Sequence, residues 1–197
     1  MKIVLDSNVF IRKKFMEGPI FTLFKWFLHN QPSELIIPQI VLEEVKKNFR
    51  EEAHSKYDSA ISALENLSSH LHKEIPQHIS KGDLQKCCEN YNKDLEDLLE
   101  SLNTRIISYK DIPHEDLVKR DLERKKPFRK VGQKNDSAGY RDALIWESIL
   151  RHVVPKSKKV VLITSNKSDF YGNRSNELHT NLKNDLQDLG YQPAGRP

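Results

Sequence analysis

The chain has 197 residues, with 32 Lys and Arg against 28 Asp and Glu, a formal net charge of +4 and a pI near 8.9. That length suits one domain over residues 1–197 with a sizeable core, and the small positive balance excludes a histone-like polycation while favouring mild attraction to polyanions. No apolar run approaches the roughly 20 residues that cross a bilayer, and Asp6 interrupts the first apolar stretch before a signal-peptide core forms. The adjacent Cys87 and Cys88 lack the spacing of a staple or a zinc site, so a cytoplasmic protein in a reducing compartment, with no membrane association, is expected.

Lys2-Ile-Val-Leu-Asp6 reads as a short buried strand ending on a carboxylate. Ile20, Leu23, Phe24, Phe27 and Leu28 follow at helical spacing, the segment from Asn30 to Ser33 breaks the pattern, and Leu35-Ile-Ile37 reads as a second strand. After Pro38 a helix opens at Val41 with Glu43 and Glu44 in its early turns and runs through Phe49 and Ala53. From about 50 to 104 the apolar spacing predicts two amphipathic helices, one through Ile61, Leu64, Leu67 and Leu71 and one from Leu84 to Leu102, with Pro76 and Gly82 between them. The segment from Asp83 to Glu100 carries six acids and two lysines, which suits a lid or a partner surface.

Arg105-Ile-Ile-Ser-Tyr109 reads as a third strand. Between Leu117 and Asn135 stand Lys119, Arg120, Arg124, Lys125, Lys126, Arg129, Lys130 and Lys134, opposed only by Asp121 and Glu123. This local surplus of six charges is either a solvated face or a set of phosphate contacts, with Arg124, Lys125, Lys126 and Arg129 the first choices. Asp142 begins a helix carrying Ile145, Trp146 and Ile149, which Pro155 ends. Lys159-Val-Val-Leu-Ile-Thr164 is the most strand-like run, and a last helix through Leu178, Leu182, Leu186 and Leu189 closes on Gly190. Strands alternating with helices predict an α/β fold, a three-layer α/β/α sandwich around a parallel sheet with a helical insertion, and place a site at the carboxyl ends of the strands.

Four acids recur where such a sheet would gather them: Asp6 after the first strand, Glu44 on the helix after the second, Asp142 opening the helix before the last strand, and Asp169 beyond that strand. Carboxylates brought together repel one another and raise their own pKa values unless a divalent cation neutralises them. Oxygen ligands suit Mg²⁺ or Mn²⁺. Taken singly, each acid also has a plain structural explanation: a strand-end hydrogen bond for Asp6, an exposed helical charge for Glu44, an N-cap for Asp142 and a turn for Asp169. The histidines show no paired spacing, and neither a phosphate-binding glycine loop nor a nucleophile elbow is present.

Ile3-Val-Leu-Asp-Ser-Asn-Val9, Pro38-Gln-Ile-Val-Leu-Glu-Glu-Val45, Gly139-Tyr-Arg-Asp-Ala-Leu-Ile-Trp146 and Val161-Leu-Ile-Thr-Ser-Asn-Lys-Ser-Asp-Phe170 resemble, in order, the motifs of the PIN-domain nuclease superfamily. Lys126-Pro-Phe128 is similar to a feature of a poorly characterised bacterial PIN-like subgroup. The resemblance covers about 1–50 and 105–170 and leaves the helical middle unmatched.

Carried over, it implies Asp6 as the central metal ligand supported by Asn8 or Ser7, Glu44 and Asp142 as further ligands, and Glu44 rather than Glu43 on the site side of its helix. Two positions on a helix that are adjacent in sequence point about 100° apart, so one of the pair should face the cluster. The fourth position departs from the family, whose Asp two residues after the strand Thr is here Asn166, so either Asp169 or Asn166 completes the site. Thr164 and Ser165 would either position a phosphate or water or form a plain turn, with Asn8, Arg141 and the basic stretch facing the substrate.

The implied activity is metal-dependent hydrolysis of single-stranded RNA to 5′-phosphate and 3′-hydroxyl ends. Three other readings stay open: a structure-specific DNA nuclease, a catalytically weak module that holds nucleic acid or protein, and a phosphatase with Asp6 as nucleophile. The last is disfavoured because Asn8 stands where a second Asp is wanted. A homodimer, or an inhibitor or antitoxin partner, also fits the family.

Overall fold

The computed structural model describes residues 1–11, 18–76, 78–131, 136–157, 159–172 and 177–191. In chain order the elements are β1 (Lys2–Leu5), α1 (Ser7–Ile11), α2 (Pro19–Asn30), β2 (Glu34–Pro38), α3 (Gln39–Leu71), α4 (Lys81–Ser101), β3 (Arg105–Ile107) and α5 (His114–Leu122). They continue with β4 (Arg129–Val131), β5 (Asp136–Ala138), α6 (Tyr140–His152), β6 (Val160–Ile163), α7 (Lys167–Phe170) and α8 (Thr180–Asp188).

Four strands form one parallel sheet in the order β3-β2-β1-β6, as the apolar runs predict. Buried strands read as continuous Ile, Val and Leu because both faces are covered, and Val4, Ile36 and Ile37 have no exposed surface. The chain steps from β1 to β2 to β3 in one direction and then crosses back to place β6 on the far side of β1. With right-handed crossovers, this reversal puts α2, α3 and α4 on one face and α6 on the other, giving three layers. It also makes the gap between the carboxyl ends of β1 and β6 the switch point, where open α/β sheets hold their ligands.

The helical middle differs in two respects from its expected form. Residues 39–71 make a single 33-residue helix, so the helix opening after β2 and the first half of the insertion are one rod about 50 Å long. No glycine or proline interrupts it, and Lys47–Glu51 and Glu52–Lys56 ion pairs span successive turns before His72 ends it in the left-handed conformation. Helix α4 returns antiparallel, anchored by Phe49 stacked on Tyr91 at 3.7 Å and by Lys46 on Glu96. It is capped by Ser80 and Asp83, which places Gly82 inside the helix rather than between two helices. Among the described residues no helix is long and apolar enough to cross a membrane.

Two further differences concern the basic stretch and the last helix. Strands β4 and β5 form an antiparallel hairpin that the sequence does not announce, and Leu178 precedes α8 in an isolated bridge with Tyr171. Arg120 is not a surface charge. It is buried, with Nε donating to Glu147 at 2.9 Å, Nη2 to Asp185 at 2.8 Å and Nη1 to the carbonyl of Lys126 at 2.6 Å. Trp146 Nε1 donates to the same Asp185 oxygen, so one cluster ties α5, α6 and α8 to the loop carrying Lys126. Burial raises the Glu147 carboxyl above its usual range and the Arg120 charge opposes that rise.

Removing one partner of a buried ion cluster leaves the others uncompensated. Arg120→Ala is therefore expected to lower unfolding stability by about 3–5 kcal/mol in urea titrations, against a small loss for the exposed Arg124→Ala.

Candidate active site

The apolar run of β1 brings Asp6 to the sheet's carboxyl edge, where its backbone N–H still pairs with Ile163 of β6 at 3.0 Å. Its side chain is 1% exposed and fully engaged. Oδ1 accepts from Ser7 N at 2.6 Å and Ser7 Oγ at 3.2 Å, while Oδ2 accepts from Asn8 Nδ2 at 3.0 Å and Thr164 Oγ1 at 2.6 Å. Asn8, read both as a support of Asp6 and as a substrate contact, and Thr164, read as positioning a phosphate or water, both donate to the carboxylate, and Asn166 N in turn donates to Thr164 Oγ1 at 2.9 Å. Ser165 is exposed, and its carbonyl closes the turn onto Lys167 N.

Past β6, Asn166 occupies the position between two acids. Its Nδ2 donates to Asp142 Oδ1 at 2.9 Å and to Asp169 Oδ2 at 2.7 Å, and its Oδ1 accepts from Ser168 Oγ at 3.0 Å. The sequence poses Asn166 and Asp169 as alternatives, but the structure brings both to the site. Asp169 is 1% exposed, and its Oδ1 has no hydrogen-bond partner, although Arg129 Nε stands 3.2 Å away as a charge.

Asp142 enters from the first turn of α6. That helix starts at Gly139 with φ of 106°, where a Cβ would lie 2.4 Å from the carbonyl oxygen of Pro127, so only glycine fits. Burial pushes the Asp142 carboxyl up to about 6, and the charges of Asp169, Asp6 and Glu44 push it the same way. The Asn166 amide partly offsets them.

Glu44 and Glu43 separate as helix geometry requires. Glu44 is half-buried, acts on Asp142 through its charge and pairs with Arg141, whereas Glu43 is exposed and accepts from Tyr109 Oη at 2.9 Å. The Arg141–Glu44 pair is not legible in the sequence, because its members lie 97 residues apart.

The basic stretch divides into two groups. Phe128 is buried with Ile112, Leu117, Ala143 and Leu144, which anchors the loop. From that anchor Lys126 Nζ reaches the Ser168 carbonyl at 2.7 Å, and Arg129 reaches Ser168 Oγ at 3.1 Å besides Asp169. Arg124 pairs with Asp121 at 2.9 Å and Lys125 with Glu123 at 2.7 Å, both at the exposed end of α5. Lys134 lies outside the described residues.

A family model described as a PIN domain matches residues 3–170, and the chain belongs to the PIN-domain nuclease superfamily. Comparisons with curated proteins and with solved structures gave no match. PIN domains are generally nucleases that use divalent metals. Among the described residues no group of three or more His, Cys, Asp or Glu side chains is placed so that it could hold a metal ion as it stands. The donor set nevertheless suits a hard cation, since it is all oxygen and Asp169 keeps a buried oxygen without a hydrogen bond.

Because the folded Asp142 pKa lies above its unfolded value of 3.8, folding binds a proton more tightly than the unfolded chain does, and stability falls as pH rises through about 6. In chelator, Asp142→Asn should raise unfolding stability at pH 7.5 by about 2 kcal/mol. Repeating the denaturation near pH 4 should abolish the difference.

Proposed function

We propose that the protein is a divalent-metal-dependent endoribonuclease that hydrolyses phosphodiester bonds of single-stranded RNA and leaves 5′-phosphate and 3′-hydroxyl ends. The observation that carries this reading is the gathering of Asp6, Asp142, Asp169 and Glu44 at the β1–β6 switch point, with the Asp142 carboxyl raised to about 6 by burial and by the other three charges. A site that keeps such a cost in a PIN domain is organised for positive charge.

Asp6, Asp142, Asp169 and Glu44, with Asn166 beside them, would hold Mg²⁺ or Mn²⁺. When bound, the cation lowers the pKa of water and offsets charge growing on the phosphate. The chain's own residues do the rest. Ser7, Asn8 and Thr164 fix the direction of the Asp6 carboxylate. Lys126, Arg129 and Arg141 at the rim, with Arg124 and Lys125 further out, supply backbone contacts to a strand threaded past the acids. Water's oxygen bonds to phosphorus as the bond to the 3′-oxygen breaks, so the sugar 2′-hydroxyl takes no part. The preference for RNA rests on the family resemblance.

The test is incubation of purified protein with unstructured RNA and with matched single-stranded and flapped DNA in Mn²⁺ or Mg²⁺. RNA should be cut to 5′-phosphorylated products and chelator should stop the reaction. Asp6→Asn and Asp142→Asn should each lower the rate by about 100-fold or more while the protein stays folded. Glu44→Gln should slow cleavage, and Glu43→Gln should leave it unchanged. Preferential cutting of DNA would replace the substrate assignment, and tight RNA binding without metal uptake would replace the enzymatic one.

A further inference from the structure

The two arginines at the rim are both engaged with acids of the site. Arg141 pairs with Glu44, which lies on the β2 side of Asp6, and Arg129 stands against Asp169, which lies on the β6 side. In each pair the carboxylate is the sheltered member and the guanidinium the open one: Asp169 is 1% exposed against 45% for Arg129, and Glu44 is 16% against 54% for Arg141. Arg129 directly follows the buried Phe128, and Arg141 lies two residues after Gly139, which closely approaches Pro127. Their backbones are held while their heads reach outward. Arginine cannot shed its charge, and a guanidinium seated on a carboxylate repels a dication approaching the same oxygens.

We infer that Arg129 and Arg141 are exchangeable counterions: they neutralise Asp169 and Glu44 while the site is free of metal, and a divalent cation displaces them toward the phosphates of the bound strand. This rests on the metal-dependent reading above. Two consequences follow from linkage. The arginines compete with the cation for the acids, and cation and strand bind with positive coupling, because metal uptake releases the groups that grip the backbone.

The proposal is tested on the full chain with Mn²⁺ alone, by isothermal titration calorimetry. The charge-removing double variant Arg129→Gln/Arg141→Gln should bind Mn²⁺ about tenfold more tightly than the parent. A control, Arg124→Gln/Lys125→Gln, removes two charges of the same basic stretch and should stay within about twofold, which separates direct competition from the general field. The conservative Arg129→Lys/Arg141→Lys variant should fall between parent and glutamine variant, and circular dichroism confirms that each is folded.

In parallel, fluorescence anisotropy with a phosphorothioate 12-mer RNA in Ca²⁺ or chelator should show a larger gain from the cation for the parent than for Arg129→Gln/Arg141→Gln. Equal Mn²⁺ affinity in parent and glutamine variant, or equal tightening in the control pair, overturns the exchange and leaves the metal-dependent nuclease standing. Absence of Mn²⁺ binding in the parent overturns both.

Discussion

The structure is organised around the cost of burying carboxylates at one point. A parallel sheet whose strand order reverses between β1 and β6 offers a crevice there, and the chain delivers Asp6, Asp142, Asp169 and Glu44 to it from four separate segments. Each acid is reconciled with its surroundings differently. Asp6 is saturated by four hydrogen bonds from Ser7, Asn8 and Thr164. Asp142 has one amide and three repelling neighbours, and its proton affinity rises accordingly. Asp169 and Glu44 face arginines. At Asn166 one neutral NH₂ lies between two acids, where a third carboxylate would add to the repulsion.

What was legible in the sequence is what depends on neighbours in the chain. The apolar runs of β1 and β2 declare themselves because both faces are buried, and the Val-Val-Leu-Ile run of the edge strand β6 declares itself by β propensity although it is only partly buried. The choice of Glu44 over Glu43 followed from the family motif and the angular step of a helix, and in the fold the two side chains go to different partners. What was not legible depends on partners far along the chain. Arg120 counts as one more charge in a basic run until Asp185, 65 residues away, is known to meet it. The hairpin of β4 and β5 uses Arg-Lys-Val and Asp-Ser-Ala, which carry no alternation to betray a strand. At the fourth site position the motif suggested a choice between Asn166 and Asp169, whereas a bridging hydrogen bond needs both.

The helical middle stands apart from this chemistry and yet is continuous with it. Helix α3 carries Glu44 in its second turn and then runs on past the sheet, where α4 braces it through Phe49, Tyr91, Lys46 and Glu96. Without a break in the rod, the direction in which Glu44 points is set together with the direction of the arm. The arm is therefore part of the frame that aims one of the site's acids.

Gly139 bears on how sequences of this kind should be compared. It offers no functional group, yet the turn that delivers Asp142 passes so close to Pro127 that any side chain would collide. A lineage could thus lose the reaction centre while keeping every acid intact. In surveys meant to separate working copies from decayed ones, the absence of that one hydrogen-only position would be as telling as the loss of an aspartate.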